Sequence, residues 1–181
     1  MPHPLNRDPY AKPASEQDFG TKHPSRFEPK QQTVGNTQPQ QRMRARAHGS
    51  AATQSIPDNV LTDVVFDVTD FDTSGLRVGN TFVIPSTGKI TGTWLIRAKI
   101  TWASAAAGLR EADLLANGSV VASAFAPGGT TAATSLDVPL MVNDPVAGTV
   151  YKVQVKQTSG GGALNLDKDS ARTYFEAIHM W

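Results

Sequence analysis

Trp94-Leu95-Ile96-Arg97-Ala98-Lys99-Ile100-Thr101-Trp102 decides the fold class of this chain. On an extended backbone, successive side chains point to opposite faces. Trp94, Ile96, Ala98, Ile100 and Trp102 therefore share one face, and Arg97, Lys99 and Thr101 the other. One apolar and one polar face make a long, half-buried β-strand.

The same alternation recurs on either side. Tyr151, Val153 and Val155 alternate with Lys152, Gln154 and Lys156, and Leu136, Val138, Leu140 and Val142 with Asp137, Pro139 and Met141. Pro139 has no amide proton for a ladder, so its strand belongs at an edge or a bulge. Asn117-Gly118, between Leu109–Ala116 and Ser119–Ala126, marks a hairpin, because a type I′ turn needs positive φ at both central residues. Leu61–Val68, Thr81–Ile84 and Thr173–Met180 read as further strands. No segment carries sustained helical periodicity with caps. The expected fold is an all-β jelly-roll sandwich of about eight to ten antiparallel strands.

The 181 residues fit one domain plus a tail, and the absence of cysteine excludes disulfide scaffolds and thiolate metal sites. No run approaches the roughly 18 apolar residues of a membrane helix, and MPHPLNRDPYAKP lacks a signal-peptide core, so no membrane insertion is expected. The net charge of +1 conceals two parts. Residues 1–53 hold eight Lys/Arg against four acids and seven of the 12 prolines; residues 54–181 hold nine against twelve. The first part has too few large apolar groups to offset its ordering entropy, and reads as a long extended N-terminal arm shaped by a partner surface. Within it, Arg42, Arg44 and Arg46 alternate, which on an extended chain sets three guanidiniums on one side, about 6–7 Å apart. Such a strip suits a row of carboxylates on an acidic protein surface, with Tyr10, Phe19 and Phe27 as apolar anchors. Three arginines with no basic domain behind them make nucleic acid an unlikely partner.

FDVTDFDTSGLRVGNTFVIPSTGKITGTWLIRAKITW, LLANGSVVASAF, VYKVQVKQTSGGGALNL and the closing TYFEAIHMW resemble the globular heads of the complement-one-q and tumour-necrosis-factor superfamily, particularly those of bacteriophage virion proteins. The resemblance rests on Phe82 before Pro85 and Gly88, the Asn117-Gly118 turn, the glycines within Gln157–Leu166 and the final aromatic strand, and covers residues 54–181. It departs at Lys89-Ile90 and in the alanine-rich Ala103–Ala107. It implies a homotrimer with the last strand central to its sheet, near the three-fold axis. Both faces of that strand are largely apolar, which places Tyr174, Phe175, Ile178 and Trp181 at an oligomer interface, the alternative being cover from the core and a loop of the same chain.

Little chemistry is visible. His3, His23, His48 and His179 are scattered, and no nucleophile elbow, HExxH or P-loop occurs. Asp67, Asp70 and Asp72 match no calcium-loop spacing and read as a solvated turn, as does Asp167-Lys168-Asp169. Trp94 and Trp102 read as core, and Gly160–Gly162 as a flexible turn. No catalytic residue, metal or cofactor is expected. The function expected is that of a non-enzymatic virion structural protein: a trimeric head anchored to capsid or tail subunits by the arm, as a decoration, spike or fibre protein, with a host-surface receptor or glycan as a further partner. The alternative is a receptor- or carbohydrate-binding module for which the arm is a mere tether; Asp70, Asp72 and Ser104–Gly108 would then carry recognition.

Overall fold

The computed structural model describes residues 42–87, 91–105, 107–129 and 132–180, within a folded unit spanning Gln41–Trp181. Tyr10, Phe19, Phe27, Gly88, Lys89, Ile90 and Trp181 lie outside the described residues. There are thirteen strands and no helix among the described residues: β1 Arg44–His48, β2 Thr53–Ile56, β3 Thr62–Asp63, β4 Val68–Asp72, β5 Arg77–Val78, β6 Thr81–Val83, β7 Thr93–Trp102, β8 Leu109–Ala116, β9 Ser119–Pro127, β10 Thr134–Asn143, β11 Val150–Gln157, β12 Leu164–Asp167 and β13 Tyr174–His179. All ladders between them are antiparallel.

They form two sheets. The first runs β2-β12-β7-β13-β1-β4, with β10 on the other side of β7; the second runs β5-β6-β11-β8-β9, with β3 also on β11. The inward faces meet in one core that includes Trp94, Trp102, Phe66, Phe82, Phe175 and Val153, each about 1% exposed or less. β7 is the long strand read from the sequence, with the expected face buried. The all-β jelly-roll expectation holds, and β13 is central, between β7 and β1.

Local chemistry explains several elements. Asn117 and Gly118 both adopt positive φ, 49° and 84°, and close the β8–β9 hairpin as a type I′ turn requires. Pro139 sits opposite Arg97 on β10, which among the described residues pairs only with β7, so its missing amide proton faces the strand's unpaired side.

Two readings are corrected. The boundary at residue 53 falls inside the fold: β1 lies between β13 and β4, with Ala45 and Ala47 fully buried, and β2 begins at Thr53. Two alanines contribute little hydrophobic signal, so a core strand reads there as a polar arm. Leu61–Val68 is also not one strand. Its alternation is real, since Val64 and Phe66 are buried, but β3 ends at Asp63. Beyond it the amides of Val65 and Phe66 donate to the side chains of Gln54 and Asn80, at 3.0 Å each, instead of to a strand.

Candidate assembly surface

The outer face of the first sheet is set by register. Met141 pairs with Leu95, Leu95 with Ile178, and Ile178 with Arg44, giving a row across β10, β7, β13 and β1. The next row outward on the same face is Pro139, Arg97, Glu176 and Arg46, and the one after it contains Asp137, Lys99 and Tyr174. Alternation with the buried Ala45, Ile96, Ala98, Phe175 and Ala177 turns all these side chains away from the core.

The polar rows are tied together. Arg97 donates to Asp137 through Nε at 2.8 Å and Nη2 at 2.5 Å, and its Nη1 is 3.6 Å from Glu176. The hydrogen bonds to Asp137 outweigh burial and raise the guanidinium's pKa. Arg46 stacks 3.9 Å above the Tyr174 ring, its Nε lies 3.3 Å from Asp70, and its Nη2 donates to the Ser170 carbonyl. His48 Nδ1 approaches the same Asp70 carboxylate to 2.8 Å. Arg44 lies over Phe71 at 5.0 Å. Tyr174 is thus roofed by Arg46 and only 9% exposed, while Leu95 and Ile178 are half-buried and Met141 is 65% exposed.

The residues read as docking or interface groups separate accordingly. Arg44 and Arg46 do lie on one side of an extended chain, but as part of the fold's own sheet, with Arg46 engaged by Asp70, Tyr174 and Ser170. Arg42 is exposed just before β1, where its carbonyl accepts from the Thr73 hydroxyl. Tyr174 and Ile178 both point away from the core, but Tyr174 is covered by Arg46 of its own chain and Ile178 is half-buried. Phe175 does not: it is 1% exposed, stacked on Phe82 at 4.4 Å and tilted against Phe66 at 5.5 Å, so it belongs to the core of its own chain. The three acidic positions serve separate local ends. Asp67 accepts from Ser50, Asp70 pairs with Arg46 and His48, and Asp72 accepts the amides of Ser74, Leu76 and Arg77.

Sequence reading missed the edge formed by β9 and β10. β9 closes the second sheet, its nine residues SVVASAFAP carry no charge, and it exposes Val120, Val121 and Phe125, the last to 64%. Edge strands are ordinarily blunted by charge or proline within the strand, and β9 has only its terminal Pro127. The uncharged run was the available signal.

This architecture has counterparts among solved structures. The structure is similar to murine APRIL at pH 5.0 with a TM-score of 0.57 at 10% identity, covering 77% of this chain and 100% of that one. It is similar to the globular domain of zebrafish complement 1qA with a TM-score of 0.52 at 9% identity, covering 77% and 98%. The fold is that of the tumour-necrosis-factor and C1q jelly rolls. Eiger TNF from S. frugiperda shares it, with a TM-score of 0.51 at 12% identity over 77% of this chain and 93% of its own. No family model and no curated protein matches the sequence.

Proposed function

We propose that the chain is a non-enzymatic structural protein of a bacteriophage virion: a homotrimeric jelly-roll head displayed as a decoration, spike or fibre knob, with its N-terminal segment attached to capsid or tail subunits. The observation that carries the assembly half is the uncharged β9 edge with Phe125 exposed, beside β10 with Met141 exposed. In a trimer that edge covers the Leu95–Ile178 row of the neighbouring copy, so a heterologous contact closes into a ring. Tumour-necrosis-factor-like heads often assemble as trimers, and this fold supports the same arrangement. The attachment half rests on the resemblance to phage heads and on the polar, proline-rich composition of the N-terminal segment, with Tyr10, Phe19, Phe27 and Arg42 as its contact residues.

Sedimentation of the chain and of a Phe125→Asp, Met141→Lys double variant tests the first half. A trimer converted to monomer is expected; a wild-type monomer at micromolar concentration refutes it. Deleting residues 1–40 tests the second half: the head should still fold and trimerise but no longer join the particle. Retained incorporation refutes attachment by that segment.

A further inference from the structure

The β1–β2 connection and the loop from β12 to β13 line an open cleft of about 380 Å³. His48, Ser50, Asp167, Lys168, Asp169 and Ser170 supply its polar wall. Lys168 is the anomaly: only 3% exposed, with its backbone amide bonded to the Ala52 carbonyl. Its side chain lies directly over Gly49, where a Cβ would fall 1.7 Å from Cε and 2.4 Å from Nζ. Among the described residues the ammonium has no hydrogen-bond acceptor and no carboxylate within 4.0 Å. An ammonium brings three donors, and Nζ is not among the fully buried unpartnered polar atoms, so those donors keep access to solvent through the cleft.

The carboxylate that acts on it, Asp67, is already engaged through both oxygens, by the Ser50 amide at 2.6 Å and by the Ser50 hydroxyl. Asp167 is held by Arg172 at 3.0 Å and by the Asp169 amide, and Asp169 accepts from the Ala171 amide through Oδ1. The cleft therefore offers one ammonium without a direct ion pair, rimmed by hydroxyls and acidic oxygens. We propose that it binds the carboxylate of an acidic sugar, with Lys168 as the charge partner and Ser50, Ser170 and Asp169 bonding the ring hydroxyls.

A monoanion fits better than a phosphate, because a second negative charge would face Asp67, Asp167 and Asp169 with only Lys168 to offset it. A sugar, with polar and apolar faces, fits a wall in which Ser50, Asp169 and Ser170 stand beside Gly49, Ala51 and Ala52. The volume suits one or two sugar rings. Burial lowers the Lys168 pKa, and a bound carboxylate would reverse that shift. This inference stands apart from the assembly reading, because none of the cleft residues lies on β9 or β10 or in the Leu95–Ile178 row.

The test is titration of the full chain with glucuronate, followed by NMR of backbone amides and of lysine ammonium signals, with glucose and inorganic phosphate in parallel. Expected is saturable binding with a dissociation constant on the order of 1 mM. Shifts should be confined to residues 48–52 and 167–170, and the Lys168 ammonium signal should sharpen. Lys168→Met should weaken binding at least about tenfold. Glucose binding as tightly as glucuronate, phosphate binding more tightly, or shifts elsewhere would each overturn the proposal, as would absence of saturation. If Lys168→Met does not fold, the wild-type ammonium signal decides alone: unchanged on saturation, it refutes the assignment.

Discussion

Phe175→Ala separates a core residue from an interface residue on a strand whose two faces are both largely apolar. The ring is 1% exposed and contacts Phe82 at 4.4 Å and Phe66 at 5.5 Å. Truncating a buried phenylalanine costs about 3–5 kcal/mol in lost transfer energy and residual cavity. Aromatic pairs contribute about 0.5–1.5 kcal/mol each within that range, and the small Ala45, Ala47 and Ala177 nearby give the cavity little to collapse on. The expected loss is about 4 kcal/mol. With a urea slope of about 2 kcal/mol/M the midpoint falls by about 2 M. Trp94 and Trp102, both fully buried, report the transition by fluorescence. The loss should be the same over a hundredfold range of protein concentration, whereas Ile178→Ala, on the outer face, should cost about 1 kcal/mol where the protein is associated and become less costly on dilution, as the wild type too loses its partner copies. Should Phe175→Ala not fold, Phe175→Leu supplies the milder cut of about 1–2 kcal/mol. A loss below about 1 kcal/mol for Phe175→Ala, or one that tracks concentration as Ile178→Ala does, refutes the placement of this ring.

Other expectations follow from single positions. Gly118→Ala, at φ 84°, should cost about 1 kcal/mol, whereas Gly161→Ala, in open space without positive φ, should cost nothing measurable in the same urea melts. The Ser50 hydroxyl and amide hold the Asp67 pKa at about 2, below its ordinary 3.8. The contribution is therefore complete above the unfolded value and lost as pH falls from 3.8 toward 2. Asp67→Asn should remove it, a change of about 1 kcal/mol once solvent screening is allowed for, seen as a flatter stability profile in that window. Burial lowers the Lys168 pKa, so the protonated amine costs stability at neutral pH and the cost fades as pH rises through the folded value toward 10.5. Without ligand, Lys168→Met should accordingly melt higher than wild type at pH 7, and the difference should close in alkali; a lower melting temperature at pH 7 would count against the burial argument.

What the sequence reveals here is governed by whether a pattern is self-contained. β7 declares its strand, its face and its burial because five large apolar residues alternate with polar ones. The Asn117-Gly118 hairpin is equally local, since the turn chemistry lies in the two residues that make it. β1 is not: Ala45 and Ala47 are buried only because β13 and β4 flank them, so Arg-Ala-Arg-Ala shows its charges and hides its core. Val64 and Phe66 announce burial, but the acceptors of the amides beside them come from Gln54 and Asn80, which no period encodes.

Lys168 is the extreme case. Asp-Lys-Asp is an ordinary solvated triplet until Gly49, from another connection, leaves room for the lysine to lie down along the floor of an open cleft. Parity on β13 fails for a related reason. Tyr174, Phe175 and Ile178 are all apolar, and only the pairing of Tyr174 with Lys99 and of Phe175 with Ala98 shows which of them share the outward face of β7. A strand with one polar face states its own orientation; a strand apolar on both must take it from its neighbour. The Arg46–Tyr174 stack settles the point, because a guanidinium ion-paired with a surface carboxylate can cover only the outward ring, leaving Phe175 to the core.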